Sequence, residues 1–370
     1  MHIIQIISNL ELGGAQLIML NLSKSLLTQG HKVSIISILN TTKQQIEIPK
    51  EISVYTLINQ VSLKHNVFKC IYSFYRLAQL IKTLKGDIIH SHLLLAKLFL
   101  LNVKNTPIVD TQHDNSPWWY SNDIKSRINL STEKYFVKNK ALHSIAISNS
   151  VKDGLIKHCK LNHNKVSTIY NSISIKQDSN TNDKNASAES ILFVGRLSLI
   201  KKGLDTLVEI AELLAIDFPT LKITIIGDGD DRHKFENMIA SKGLEKHFSL
   251  LGMQKNVAKF YSKASILIMP SRWEGFGLTA AEAAIKGVPV IASNIGGLNE
   301  VVLNNKTGYT VNPENPKEFV DKIKILIKDN KLFHKMSLNA IKSATERFNH
   351  DKFANKHVRI YNNYKKKRIL

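Results

Sequence analysis

The sequence predicts an α/β protein of two domains, each built around a parallel sheet. Its 370 residues exceed what one hydrophobic core ordinarily organises, and a hydrophobic content of 43% is ample for two. Short β-rich apolar runs alternate with helical stretches, about seven strands before residue 176 and about six after residue 190. Between them, Lys176 to Ser190 is polar, Asn/Ser-rich and nearly free of apolar residues, which reads as a linker. The expected division is 1–175, linker 176–190, and 191–350.

Composition narrows the class further. The net charge of +21 divides as +11 over residues 1–185 and +10 over the remainder. Charge spread this evenly argues against a nucleic-acid partner, which needs a concentrated basic patch. It fits attraction to anionic lipid and phosphorylated substrates, or equally a set of solvated basic faces. Cys70 and Cys159 have no metal spacing and suit a reducing, cytoplasmic compartment. No basic, cleavable leader is evident, and the longest apolar run, Leu93 to Val103, is interrupted by Lys97 and too short to span a bilayer. The expectation is a soluble protein or one peripheral on the cytoplasmic face of the inner membrane.

In chain order, residues 2–8 (HIIQIIS) form the opening strand. Gly13 and Gly14 break the chain before an amphipathic helix to about Thr28, an opening typical of nucleotide folds, although the spacing is not Gly-x-Gly-x-x-Gly. HKVSIISI and SVYTL are further strands, and a helical period runs from Val67 to Leu84. DIIHSH places His90 and His92 at a strand's carboxyl end, and PIVDTQHDN places His113 and Asp114 at the same edge, where open α/β sheets hold ligands. Trp118, Trp119 and Tyr120 follow; a rim loop with three aromatics suits stacking on a sugar, touching lipid, or packing beneath the loop. Arg127 to Lys140 reads as a basic helix suited to anionic headgroups. SIAIS, a helix from Asn149 to about His158, and VSTIYNSI complete the first domain.

The second domain opens with ILFVGRLSLIKKG. Gly195 frees the turn, and Arg196 with Lys201 or Lys202 supplies two cations just before a helix. A guanidinium forks onto phosphate oxygens and an ammonium adds a point charge, so the pair suits a diphosphate. KITII leads into a Gly-rich acidic turn at Gly227 and Gly229; FSLLGM ends at Gly252; ILIMP, PVIAS and GYTV are the remaining strands, and the chain is helical after Pro316. The stretch Ser271 to Gly287 carries the most chemistry. Pro270 closes a buried strand, Gly275 and Gly277 turn the backbone, and an Ala-rich helix follows from Leu278 to Gly287. The N–H groups of about Phe276 to Ala280 thus lie at a helix N-terminus, a ready anion site. Glu274 and Glu282 flank it without sharing a helix face, which suits contacts with two parts of one ligand better than an acid/base pair.

Glu274-x7-Glu282, with Gly13-Gly14-Ala15, Gly195-Arg196-Leu197 and Lys202-Gly203, resembles the retaining GT-B glycosyltransferases of family 4 type (glycosyl transferases group 1) over essentially the whole chain. The resemblance implies two Rossmann-like, doubly wound parallel-sheet domains facing across a cleft, with the last helix, about 351–370, folded back on the first domain. It implies a nucleoside diphosphate sugar as co-substrate, with no cofactor and no metal. The donor would be a UDP-hexose or UDP-N-acetylhexosamine, with GDP-mannose as an alternative, and the acceptor a hydroxyl of a glycan or lipid-linked glycan, as in bacterial surface polysaccharide synthesis. Gly13 and Gly14 would face the donor phosphates, and the Gly227 loop would lie near the nucleotide. Met253 and Gln254 would meet the base, Glu282 the ribose, and Glu274 the donor sugar. Gly275, Phe276, Gly277 and Leu278 would present N–H groups to phosphate. Catalysis would fall to His113, Glu274, Arg196 and Lys202. Gln16 stands where the family carries an acid and Asn171–Ser172 where it carries Asn-Gly. The loop between Arg196 and Gly203 is one residue longer than the common form, which favours Lys202 over Lys201. A nucleotide-sugar epimerase of related architecture, a nucleic-acid binder and a catalytically idle scaffold are the rival readings. Glu274-x7-Glu282, the even charge and the retained phosphate cations argue against each in turn.

Overall fold

The structure, a computed structural model, describes residues 1–41, 45–58, 67–121, 123–174 and 190–365. It divides into two compact units, one of Met1–Ser172 with His350–Leu370 and one of Ile173–Asn349. The linker read at 176–190 lies outside the described residues, except for Ser190.

In the first unit, β1 (His2–Ile7), α1 (Gly14–Thr28), β2 (Lys32–Leu39) and β3 (Ser53–Ile58) are followed by α2 (Val67–Leu84), β4 (Ile88–His92) and α3 (Leu94–Phe99). Then come β5 (Ile108–Gln112), α4 (Ile124–Asn139), β6 (His143–Ala146), α5 (Asn149–Cys159) and β7 (Val166–Thr168). The sheet order is β3-β2-β1-β4-β5-β6-β7, and every pairing is parallel. Strands β1, β4 and β5 are buried along their whole length, as expected of central strands covered on both faces. The order reverses between β1 and β4. The crevice at such a switch point, beyond the carboxyl ends of the strands, is where doubly wound sheets bind ligands.

One sequence expectation changes here and another is narrowed. Helix α4 begins at Ile124, earlier than Arg127, because the Asp123 side chain caps it, accepting from the Ser126 N–H at 2.9 Å. Of the roles open to the three aromatics, packing beneath the loop is the one Trp119 takes, since it is buried; the Trp118 and Trp119 indoles both donate to Glu133 Oε2 of α4, at 2.9 and 2.7 Å. The run broken by Lys97 contains α3, and Lys97 itself is fully buried. Its ammonium lies 2.9 Å from Asp110 Oδ2 and 3.4 Å from Glu133 Oε1, and donates to Gln112 Oε1 at 2.7 Å. Burial works against the charge, but the two carboxylates outweigh it and hold the lysine above its ordinary range. This network ties the loop after β5 to α4 from beneath; Tyr120 alone of the three aromatics is exposed.

The second unit contains β8 (Ile191–Val194), α6 (Leu199–Lys202), α7 (Leu204–Asp217), β9 (Ile223–Ile226), α8 (Arg232–Ser241), β10 (Phe248–Leu250) and α9 (Ala258–Lys263). It continues with β11 (Ile266–Met269), α10 (Leu278–Ile285), β12 (Val290–Ser293), α11 (Leu298–Val301), β13 (Gly308–Val311), α12 (Pro316–Lys328) and α13 (Asn330–Arg347). Its parallel sheet runs β10-β9-β8-β11-β12-β13 and reverses between β8 and β11. Ile191, Phe193, Ile223, Ile225, Ile266 and Ile268 form its core with apolar residues of α7 and α12. The last helix, α14 (His350–Lys365), belongs to the first unit, where His357 and Tyr361 are buried. Lys365 pairs with Asp87 at 3.3 Å; the rest of the basic run to Arg368 lies outside the described residues.

Candidate active site

At the switch point of the second unit, the loop after β8 carries Arg196 and leads into α6 with Lys201 and Lys202, and the loop after β11 carries Glu274 and leads into α10. Three contacts lace these loops together. Lys202 Nζ forms an ion pair with Glu274 Oε1, both side chains being largely buried. The Arg272 N–H donates to the Lys201 carbonyl at 3.0 Å. The Arg272 guanidinium forks onto Asp205 of α7, with both N–H···O distances 2.8 Å. That planar two-point grip is more rigid than a single lysine contact, and it holds the Glu274 loop against α7. Arg196 is mostly exposed and pairs with Asp230 at 2.7 Å.

Helix α10 starts at Leu278, as the sequence predicts. Gly277 adopts φ +95°, which a side chain resists, and a Cβ there would also collide with Leu298. The first bond of the helix runs from Ala281 N–H to Gly277 carbonyl at 3.1 Å, so the N–H groups of Leu278, Thr279 and Ala280 precede its internal ladder. The Phe276 ring turns inward and packs edge-on against Phe348, so only its backbone is available to a ligand. Across the sheet, Gly227 (φ +134°) donates its N–H to the Gly252 carbonyl at 2.9 Å, and a Cβ on it would overlap the Gly195 carbonyl oxygen. Three strand-end loops therefore meet by backbone. Beyond Gly252, Met253 is half-exposed and Gln254 donates to the Leu251 carbonyl.

Glu282 sits within α10, half-buried, and accepts from the hydroxyl of fully buried Tyr261 at 2.9 Å. Burial lifts its carboxyl to about 7, with the Tyr261 bond pulling the other way. Tyr261 was not visible as a site residue in the sequence: it lies 21 positions from Glu282, on α9, inside an unremarkable polar-aromatic segment.

At the switch point of the first unit, Gly13 caps α1 and Gly14 begins it. Gln16, which replaces an expected acid, is buried and donates to Asn9 Oδ1 at 2.9 Å, closing the loop on itself. His90, His92 and His113 come together at the carboxyl ends of β4 and β5. His92 Nδ1 lies 2.8 Å from His113 Nε2, His92 Nε2 lies 2.8 Å from Gln5 Oε1, and His90 Nδ1 lies 2.7 Å from the Tyr361 hydroxyl. Burial, reinforced by Lys97, lowers His113 to about 3, so its ring is neutral at physiological pH. His90 and His92 are lowered for the same first reason. Among the described residues, no cluster of three or more His, Cys, Asp or Glu side chains is arranged to hold a metal.

Comparison with known proteins agrees with this arrangement. Residues 12–177 match the Glycosyltransferase Family 4 model and residues 174–343 the model for Glycosyl transferases group 1. An uncharacterized glycosyltransferase of Methanocaldococcus jannaschii is 32% identical, with 72% of each chain covered. The poly(ribitol-phosphate) alpha-N-acetylglucosaminyltransferase of Staphylococcus aureus is 27% identical over 83% of this chain and 61% of its own length. Among solved structures, sucrose-phosphate synthase from Thermosynechococcus elongatus superposes with a TM-score of 0.82 at 20% identity, covering 98% of both chains. An Anabaena protein in complex with UDP and glucose superposes with a TM-score of 0.81 at 19% identity, covering 98% of this chain and 100% of its own. With two parallel-sheet units, a family match in each and a relative of this identity, the chain belongs to the group 1, family 4 type of GT-B glycosyltransferases.

Proposed function

We infer that this glycosyltransferase moves a hexose or N-acetylhexosamine from a nucleoside diphosphate sugar, UDP-linked in preference to GDP-linked, to a hydroxyl of a glycan or lipid-linked acceptor, with retention of configuration and without a metal. The observation that carries this reading is the Lys202–Glu274 pair at the switch point of the second unit, four residues ahead of the N-terminus of α10. A diphosphate entering there meets Lys202, Arg196 and the leading N–H groups of α10, which stabilise the charge that builds on the leaving phosphate. Glu274 is then released to accept from sugar hydroxyls, and Glu282 accepts from the ribose. In the retaining reaction the acceptor oxygen attacks on the face the diphosphate leaves, and the departing phosphate oxygen takes the acceptor proton. No covalent enzyme intermediate is needed, unlike two-carboxylate hydrolysis. The relative named for poly(ribitol-phosphate) and the neighbour holding UDP and glucose support a polymer acceptor and a uridine donor.

Thermal-shift measurements in EDTA test this directly. UDP or a UDP-sugar is expected to raise the unfolding temperature, GDP and ADP to do so less, and the effect to vanish in Arg196→Ala and Glu282→Ala. Failure of every nucleotide to stabilise the metal-free protein would overturn the reading.

A peripheral membrane location belongs to the same proposal. No helix among the described residues is long and apolar enough to cross a membrane. On α4, however, Ile124, Ile128 and Tyr135 are exposed along one face, at 78%, 60% and 52%, with exposed Lys125, Arg127 and Lys138 beside them. An apolar stripe edged by cations suits an anionic lipid surface. Co-sedimentation is expected with phosphatidylglycerol vesicles and not with phosphatidylcholine, and Ile128→Asp is expected to weaken it severalfold. Equal binding to both vesicles, or none to either, would rule the surface out.

A further inference from the structure

Gln5 is an oddity of the first sheet: a fully buried amide in the middle of HIIQII, on the interior strand β1. Strand register explains what it reaches. Gln5 is opposite His90 across β1–β4, and His92 is opposite Thr111 across β4–β5. The Gln5–His92 and His92–His113 bonds are therefore diagonals, each stepping two residues toward the carboxyl edge of the sheet. Together they form a polar line from the core to the half-buried ring of His113.

The line has a direction. An amide oxygen only accepts, so His92 donates from Nε2 to Gln5 Oε1 at 2.8 Å. A neutral imidazole that donates from one nitrogen accepts at the other, so His92 Nδ1 receives the proton on His113 Nε2, also at 2.8 Å. No described residue bonds to His113 Nδ1. We propose that Gln5 and His92 are positioning residues that lock His113 as its Nε2–H tautomer, so that Nδ1 offers a lone pair to a hydroxyl of the sugar or acceptor. Its functional consequence rests on the transferase reading. With the opposite tautomer, the ring would offer an N–H and could not accept from that hydroxyl. The low proton affinity of the buried ring keeps this choice of tautomer in force through the neutral range.

The test is two-bond 1H–15N correlation on the full chain labelled at histidine, with His113 assigned through His113→Asn. The wild type is expected to show a single Nε2–H tautomer at His113. Gln5→Leu should mix the tautomers and lower kcat on the order of tenfold, as loss of an orienting partner behind an imidazole does, while Gln5→Glu, which still accepts, should restore both. An Nδ1–H ring in the wild type, meaning that the Gln5 amide faces the other way, overturns the proposal even if no variant folds. So does an unchanged tautomer in Gln5→Leu. Should no donor be turned over while the spectra behave as expected, the relay stands and the transferase reading alone falls.

Discussion

Lys202→Ala is expected to lower kcat by about 10²- to 10³-fold, the usual effect of removing one group aimed at charge that develops in the transition state. Its effect on stability should be smaller. Lys202 pairs with Glu274, and with the two side chains 16% and 13% exposed water still reaches the carboxylate left behind, so the cost is about 1–3 kcal/mol, below that of breaking a sealed pair. Lys201→Ala is the control. It lies one position earlier on α6, where its backbone carbonyl accepts from Arg272, an arrangement that the substitution preserves. Steady-state kinetics and urea unfolding of the two variants decide the matter. If Lys202→Ala keeps its turnover, or if Lys201→Ala loses it, the diphosphate is not held by Lys202.

The second large effect is a dependence on pH. The carboxyl of Glu282 is lifted from 4.5 to about 7 by burial. A carboxyl raised on folding binds its proton more tightly in the folded than in the unfolded chain. Its contribution to stability is therefore complete below about 4.5 and is lost as the pH climbs toward 7, by about 3 kcal/mol in all. Glu282→Gln should remove that slope and leave the protein more stable than wild type above pH 7. Ribose hydroxyls prefer the ionised form as acceptor, so UDP should bind more tightly as the pH rises from 6 to 8, releasing a proton. Unfolding temperatures between pH 5 and 8.5, with calorimetric titrations in two buffers of different ionisation heat, measure both effects. A UDP affinity that is flat in this range would show that Glu282 does not meet the ribose; a slope that survives in Glu282→Gln would place the titrating group elsewhere.

The architecture was readable because apolar runs and helical periods are local properties. HIIQII, KVSIISIL and the helix from Val67 to Leu84 declare themselves within a few turns of chain. Pro270, Gly277 and Gly287 bracket α10 in the same local way. Partnerships made across the fold were not readable. Lys97 looked like a break in an apolar run, and its carboxylates lie 13 and 36 positions away on β5 and α4. The three aromatics after Ser116 left three roles open until Glu133 was seen to take both indole protons. Gln5 is a single polar residue among isoleucines, and only strand register gives it a partner. Arg272 sat unassigned within the most informative stretch, since Asp205 is 67 positions from it.

The placement of α14 also bears on the order in which the polypeptide is completed. The first unit begins at Met1 but takes in residues from His350 onward, so its hydroxyl partner for His90, Tyr361, leaves the ribosome only after the whole of the second unit has been made. Domains tend to fold as they emerge. The half of the protein that starts first is therefore finished last, and during synthesis its histidine cluster still lacks Tyr361 when the second unit is already able to close its own sheet.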